Sequence, residues 1–145
     1  MTEWLMSANS KKYNHQLAFQ ERGYVYWRQI RKFVVGDLIY FYCTKPIGQI
    51  QYLAVVDQIA IPYEKIENDK EYYENPSQMS QGMYIKLRLL KKYEGTEMTM
   101  SDLTKFHFIP PQGPQRFKNL QLLDYVKLRF GEKDNERIQI CYHRS

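Results

Sequence analysis

The run Leu38 to Cys43 constrains the fold of this chain more than any other stretch. Its sequence, Leu-Ile-Tyr-Phe-Tyr-Cys, is apolar at both odd and even positions, so it predicts a strand with both faces covered. Val35-Gly36-Asp37 before the run favours a turn, and Lys45 to Gly48 after it predicts a reversal into a hairpin partner over Ile50 to Val56. We therefore expect the core to form around a central strand.

The chain is long enough for one domain with a sizeable core and too short for two. It has 145 residues, of which 43% are hydrophobic, and its apolar runs are far shorter than a membrane span. Because Met1 to Glu3 does not begin a signal peptide, we expect a soluble cytoplasmic protein without a membrane partner. Cys43 and Cys141 have no metal-ligand spacing, so we expect reduced buried thiols, no metal site and no cofactor.

Local signals place the elements of the first half. Apolar Trp4 to Met6 predicts a buried strand that runs into the small polar residues Ser7 to Ser10, a change typical of a strand that ends at a turn or a site. Asn14 and Gly23 have the chemistry of the two caps of a short helix, with Leu17 and Ala18 on its inner face. Tyr24 to Arg28 is rich in aromatic residues and ends in a cation, which makes it a second candidate site element.

The second half is predicted in the same way. Met83 to Leu89 alternates, which predicts a strand with Ile85 facing inward and Tyr84 facing outward. Thr99 begins a capping box for a short helix that ends near Phe106. The proline-rich stretch from 110 to 116 predicts a fixed loop, and Asn119 caps a last helix. The order of elements predicts an α+β domain over residues 1 to 130 whose sheet could close into a barrel, followed by an extension, residues 131 to 145, with one added strand.

Charge and aromatic content favour a polyanionic partner. The net charge is +5, although residues 57 to 74 hold six acidic and two basic side chains, so the rest of the chain is strongly basic. Such a balance suits nucleic acid, but a modest basic excess is also common in proteins that bind none. Thirteen tyrosines suit surfaces that stack on bases. The long connection from 57 to 82 carries Tyr63, Tyr72 and Tyr73 and is expected to be functional or mobile.

Catalytic signatures are missing from the sequence. None of the three histidines belongs to a hydrolase motif, a metal-ligand motif or a phosphate loop. His15 is expected on the surface of the first helix. Cys43 is expected in the core, and it could act as a nucleophile only if a histidine approached it in space. These observations favour binding without reaction.

Several strings carry a resemblance to a known family. They are Trp4-Leu5-Met6-Ser7, Trp27 after the first helix, the stretch 35 to 42, Tyr84 to Leu89, and Gln112 to Arg116. In this order and spacing, over residues 3 to 130, they resemble an EVE domain of the PUA-like superfamily, which also includes YTH and ASCH domains. The resemblance implies a curved mixed PUA-like β-barrel with about three short helices packed around it.

The resemblance also implies a non-catalytic module that recognises a modified, for example methylated, base flipped out of DNA or exposed in RNA. Such modules occur in anti-phage restriction and in RNA modification, in some cases with a nuclease partner. Ser7 and Asn9 would read the base edge, Trp27 would stack on the base, and the second wall would come from the long connection. The expected base-pocket residues are Ser7, Ala8, Asn9, Tyr26, Trp27, Tyr42, Tyr63 and Gln115. The expected phosphate-binding residues are Lys11, Lys12, Arg28, Arg31, Lys32 and Arg116.

Magnitudes limit what one aromatic wall can do. Stacking contributes about 1 to 3 kcal/mol per base, and unstacking a base from a duplex costs about as much, so phosphate contacts must supply much of the affinity. Two other functions stay open. One is a small hydrolase or ribonuclease of the ASCH type, with a lysine and a tyrosine or glutamate at the same mouth. The other is an interaction module that docks protein on its tyrosine-rich loop.

Overall fold

The computed structural model describes residues 1–131, so the predicted last strand and Cys141 lie outside the described residues. Six strands and three α-helices are present in the described part of the chain. The strands are β1 (Glu3–Ala8), β2 (Tyr24–Arg28), β3 (Leu38–Cys43), β4 (Gln49–Pro62), β5 (Met83–Lys92) and β6 (Gln115–Arg116). The α-helices are α1 (His15–Arg22), α2 (Met100–Leu103) and α3 (Leu120–Arg129).

The strands form one mixed sheet in the order β2-β5-β4-β3-β1-β6. β1 runs parallel to β3, and the other neighbours are antiparallel. The predicted α+β class is confirmed, and β3 has five buried residues out of six, as its sequence indicates. β2 and β6 are the two edges, and no ladder joins them in the described residues, so the predicted closure into a barrel is not confirmed.

Asp37 explains why a Val-Gly-Asp turn precedes the central strand. Its buried carboxylate accepts hydrogen bonds from the Thr2 backbone N–H at 2.9 Å and from the Trp4 indole N–H at 3.0 Å. It also accepts the Val34 N–H at 3.0 Å, which closes the turn itself. A buried carboxylate needs such donors. One side chain therefore fixes the turn and aligns β1 beside β3.

The predicted caps of α1 are confirmed, but its inner face differs from the prediction. Asn14 accepts the Leu17 N–H at 3.1 Å, and Gly23 ends the helix with a φ of 78°, which favours glycine. Leu17, expected inward, is 38% exposed. His15, expected on the surface, is fully buried because the first turn of α1 packs onto β3 and β4, with its ring 5.5 Å from that of Tyr52.

The long connection is shorter and better packed than its sequence suggests. β4 continues to Pro62, and the following segment forms short 3-10 turns that fold back over the sheet. Ile66 and Met79 from this segment are buried against Tyr84. The prediction that Tyr84 faces outward is therefore wrong, since the connection covers that face of β5.

The sheet has core on both faces. One cluster contains Met6, Phe41 and Val25 and is covered by α1. The other contains Leu5 and Tyr40 together with apolar residues of α2 and α3. Among the described helices, none is long and apolar enough to cross a membrane.

Candidate nucleic-acid interface

The end of β1 divides the predicted site residues between the two faces of the sheet. Met6 and Ala8 point into the cluster that α1 covers, whereas Leu5 points into the other cluster. By the alternation of strand side chains, Ser7 lies on the Leu5 face. Its hydroxyl donates to the Pro111 carbonyl at 2.7 Å. Ser7 therefore anchors the proline-rich loop.

Trp27 lies on the opposite side of the sheet from Ser7. Its half-buried ring packs on the core cluster that contains Met6 and Ala8. Trp27 therefore lies close to the end of β1, but the Ser7 hydroxyl does not face it. This differs from the expectation that Ser7 and Trp27 contact the same base. Ala8 is buried in the Trp27 cluster and offers the site no polar atom.

Asn9 shapes the turn that follows β1. Its side-chain oxygen accepts the Lys11 N–H at 3.0 Å, and its backbone oxygen accepts the N–H groups of Lys12 and Tyr13. This arrangement is an Asx turn, which Asn favours. It leaves Asn9 and both lysines exposed and turns the buried Tyr13 back toward Trp27.

Four aromatic residues pack together near the turn after β1. We call Tyr13, Trp27, Phe41 and Tyr73 the aromatic cluster. The Trp27 ring centroid lies 5.8 Å from that of Tyr13 and 5.6 Å from that of Phe41, with interplanar angles of 89° and 80°. Tyr13 and Tyr73 have centroids 4.8 Å apart. These edge-to-face and tilted contacts are the favoured geometries of aromatic pairs. Tyr73 therefore supplies an aromatic side chain near Trp27.

Backbone pairing holds Tyr73 beside Tyr13. The two residues form an isolated antiparallel bridge, the Asn14 N–H donates to the Tyr72 carbonyl at 2.7 Å, and the Glu74 N–H donates to the Lys12 carbonyl at 3.0 Å. The tyrosine-rich connection is thus tied to the turn after β1. Of its three tyrosines, Tyr73 lies nearest to Tyr13, with ring centroids 4.8 Å apart against 6.3 Å for Tyr72.

A buried ion pair locks the same connection to the rest of the domain. Asp69 is fully buried, pairs with Arg22 and accepts the Tyr13 hydroxyl at 3.1 Å. The Arg22 guanidinium lies over the rings of Tyr24 and Tyr72, at 4.4 Å and 4.6 Å from their centroids. Burial and the Asp69 charge raise the pKa of Tyr13, so its phenol stays protonated. Asp69 is thus a structural member of the acidic stretch.

His15 and Cys43 form a buried pair beneath the aromatic cluster. The His15 Nε2 atom lies 3.3 Å from the Cys43 Sγ atom. Burial raises the pKa of Cys43 to about 12 and lowers that of His15 to about 4. Both groups are therefore neutral near pH 7, which does not favour a thiolate nucleophile. The described residues contain no group of three or more His, Cys, Asp or Glu side chains that could hold a metal ion.

Three predicted pocket residues lie away from Trp27. Tyr26 and Tyr63 pack against the cluster around Tyr84. Tyr42 is buried in the α2 and α3 cluster, with its ring centroid 5.2 Å from that of Phe108. The structure does not bring these three rings into the aromatic cluster.

The remaining predicted residues identify a second feature, a groove of about 600 Å³. One bank comes from the connection between β2 and β3, which carries Arg31 and Lys32, and the other comes from the β6 edge, with Gln115 and Arg116. The Arg31 Nε–H donates to the Pro114 carbonyl at 3.1 Å and joins the two banks. We call this the basic groove. Its polar lining consists of Arg31, Lys32, His107, Gln115, Arg116, Lys118 and Asn119.

The other predicted phosphate-binding residues lie outside the groove. Lys11 and Lys12 are exposed in the turn after β1. Arg28 is exposed at the end of β2, where it hydrogen-bonds the Ser80 hydroxyl and lies against Gly82. Lys11 and Lys12 thus lie next to Tyr13 in the chain and Arg28 lies next to Trp27, whereas Arg31, Lys32 and Arg116 line the groove.

The sequence prediction missed Tyr13 and Lys118. In the sequence, Tyr13 looks like an apolar residue that precedes a helix cap, and this pattern does not reveal its contact with Trp27. Lys118 follows Arg116 by two residues, and that spacing places side chains on one side of an extended edge segment. The position of Lys118 could therefore be predicted from the sequence. The contact of Tyr13 with Trp27 could not, because it depends on the path of the turn after β1.

No protein-family model and no curated protein sequence matches the chain. Among solved structures, the ASCH protein from Zymomonas mobilis is 14% identical and has a TM-score of 0.59, with the match covering 86% of this chain and 95% of that one. Human THYN1 in complex with 5-methylcytosine containing DNA is 15% identical, with a TM-score of 0.60 and coverage of 92% and 99%. A hypothetical protein from Leishmania major is 13% identical, with a TM-score of 0.59 and coverage of 89% and 94%.

These likenesses concern the fold. The chain shares the fold of these solved structures over about nine tenths of its length, in agreement with the ASCH-related fold that the sequence resemblance implies.

Proposed function

We propose that this protein is a non-catalytic nucleic-acid-binding module that takes a modified base against Trp27. The observation that carries the proposal is the half-buried Trp27 ring, which contacts Tyr13, itself in contact with Tyr73. Exposed Lys11 and Lys12 precede Tyr13 in the chain, and exposed Arg28 follows Trp27. Its fold supports the proposal, since THYN1 shares this fold and was solved with DNA that contains 5-methylcytosine.

The indole has surface to offer a base. None of the described ring contacts of Trp27 is a parallel stack, and the residue is neither fully buried nor fully exposed. Stacking on such a ring is worth about 1 to 3 kcal/mol, which is comparable to the cost of unstacking a base. The exposed cations must therefore contribute the rest of the affinity through phosphate contacts.

Discrimination of a modified base needs more than burial of a methyl group. One methyl contributes about 0.8 kcal/mol, which is a preference of about fourfold. Larger preferences require polar groups that the wrong base leaves unpaired. Asn9, which begins the turn that ends at Tyr13, and the Tyr73 hydroxyl are the candidates for this role. The Tyr13 hydroxyl already donates to Asp69.

The test is binding of matched oligonucleotides, with and without modified bases, at one stated salt concentration. Trp27→Ala is expected to weaken binding of the preferred oligonucleotide by about tenfold to a hundredfold, the equivalent of one lost stack. It should also abolish the preference for the modified base, whereas Trp27→Phe should retain part of it. If Trp27→Ala binds both oligonucleotides as the wild type does, the base does not stack on Trp27.

Tyr63→Ala is the matched control. It removes a ring from the same tyrosine-rich connection, but from the cluster around Tyr84. We expect it to leave the base preference unchanged. If this variant alone loses the preference for the modified base, the base pocket lies instead on the face that carries Tyr26 and Tyr63.

An ASCH-type hydrolase or ribonuclease is a second candidate, because the ASCH protein from Zymomonas mobilis shares the fold. Turnover of RNA or of acylated nucleosides by the purified protein without added metal would decide for this enzyme. The neutral His15 and Cys43 pair is not its expected centre.

A further inference from the structure

We infer that the basic groove holds the phosphodiester backbone of the nucleic acid whose base is taken at Trp27, with Lys118 and His107 as additional contacts. This inference rests on the proposed function. It adds a second site on the domain, separate from the aromatic cluster, and assigns it the sugar-phosphate chain as its ligand.

The charge of the groove suits an extended polyanion. Two arginines and two lysines line it, His107 adds a further nitrogen donor, and no aspartate or glutamate is among its lining residues. Arg31 and Lys32 stand on one bank, and Arg116 and Lys118 stand on the other. All four are exposed. Cations on two facing banks can contact several phosphates of one strand at the same time. A single small anion would contact only some of these cations.

The floor of the groove argues for a backbone and against a base. Its aromatic residues Trp4, Phe108 and Phe117 are only 5%, 6% and 7% exposed. The Trp4 indole N–H is already used by Asp37, so it is not a donor for a ligand. A base or a free nucleotide would find little aromatic surface to stack on here, whereas a sugar-phosphate chain needs only the charged banks.

The groove adjoins the base site through a shared segment. Arg31 follows Trp27 by four residues and holds the Pro114 carbonyl. The same proline-rich loop is fastened to the end of β1 by the bond between Ser7 and Pro111. Because four residues of extended chain span at most about 14 Å, the first cation of the groove begins within that distance of Trp27 along the backbone.

The groove lies between one sheet edge, β6, and the connection that follows β2. β6 has only two residues and pairs on one side with β1, and β2 stops at Arg28, before the segment that forms the other bank. In the described part of the chain no strand pairs with the outer side of β6, so a linear ligand can lie along that edge.

The experiment measures the salt dependence of DNA binding by the full chain, with duplexes that differ only in 5-methylcytosine. Arg116→Gln with Lys118→Gln removes two exposed cations from one bank. We expect at least a tenfold loss of affinity at moderate salt, equal for both duplexes. The slope of log affinity against log salt should fall by about 0.9 for each lost phosphate contact. Lys65→Gln with Lys92→Gln, a matched loss of two exposed charges elsewhere, should change the slope much less.

The outcomes separate this inference from the proposed function. If the wild type binds neither duplex at low salt, the proposed function fails, and the inference fails with it. If Trp27→Ala abolishes the base preference but the groove variant keeps the wild-type slope, only the inference is overturned. A groove variant that loses the base preference would mean that the groove reads bases. Polyglutamate binding as tight as DNA binding, and sensitive to the same variant, would assign the groove to an acidic protein partner instead.

Discussion

The aromatic cluster and the basic groove differ in the side chains that form them, although Trp27 of the cluster and Arg31 of the groove are only four residues apart in the chain. In the cluster, rings from four parts of the chain meet, and the cations stand outside it. In the groove, the cations form the lining and the rings are sealed beneath. The first offers an apolar surface that can distinguish one base from another. The second offers positive charge, which contacts the phosphate backbone whatever the base sequence of the nucleic acid is.

The two regions also differ in what holds them together. Tyr73 reaches the cluster through its backbone bridge with Tyr13, and the buried Asp69 and Arg22 pair anchors the same connection. The groove depends on β6 and on the bond from Arg31 to Pro114. A change in one region should therefore leave the other intact, and each prediction below uses that independence.

The largest effect is expected from Asp69→Ala. It leaves the Arg22 guanidinium, whose side chain is only 14% exposed, without its carboxylate partner, and it removes the acceptor of the Tyr13 hydroxyl. Breaking such a pair from one side costs about 3 to 5 kcal/mol. Urea unfolding should show this loss of stability. At temperatures where the variant is folded, its preference for a modified base should fall while the salt slope stays at the wild-type value.

The double variant Arg22→Met with Asp69→Leu is the control for Asp69→Ala. It removes both charges and leaves no buried ion, so most of the lost stability should return. If Asp69→Ala and the double variant are equally unstable, the cost comes from lost packing and not from an unpaired charge.

A smaller effect is expected from acid, through His15. Burial lowers its pKa to about 4, against about 6.5 in the unfolded chain, so the folded state holds the neutral ring. Its contribution to stability is complete above pH 6.5 and is lost as the pH falls toward 4, because the unfolded chain binds the proton first. Between pH 7 and pH 5 this loss amounts to about 2 kcal/mol.

His15→Leu checks the assignment, since it removes the titrating group. The difference in unfolding free energy between pH 7 and pH 5 should shrink by about 2 kcal/mol relative to the wild type. A wild-type pH dependence that survives His15→Leu would show that another group carries it.

Short-range signals in the sequence predicted most of the fold. The caps at Asn14, Gly23, Thr99 and Asn119 are confirmed, because a capping side chain acts within one helical turn. The two-sided burial of Leu38 to Cys43 is confirmed for a similar reason, since the pattern lies within the strand itself.

The errors come from packing between distant segments. Tyr84 is buried because the connection after β4 folds over it, and His15 is buried because α1 presses its first turn onto β3. No periodicity in the sequence encodes either contact. The candidate site also depends on distant contacts: the alternation of β1 separates Ser7 from Trp27, and the groove requires the connection after β2 to approach the loop before β6.

The smallest effect tests the residue on which the sequence-based pocket depended most. Ser7→Ala removes the bond from its hydroxyl to the Pro111 carbonyl, which should lower the unfolding free energy by about 1 kcal/mol. Because the side chain lies on the face away from Trp27, the base preference should stay within about twofold of the wild type, a difference of about 0.4 kcal/mol. Ser10→Ala, in the next turn, serves as the control for the loss of a serine hydroxyl. If Ser7→Ala abolishes the preference without further loss of stability, the hydroxyl reads the base directly. The cluster and the groove would then meet at the end of β1 in a single site.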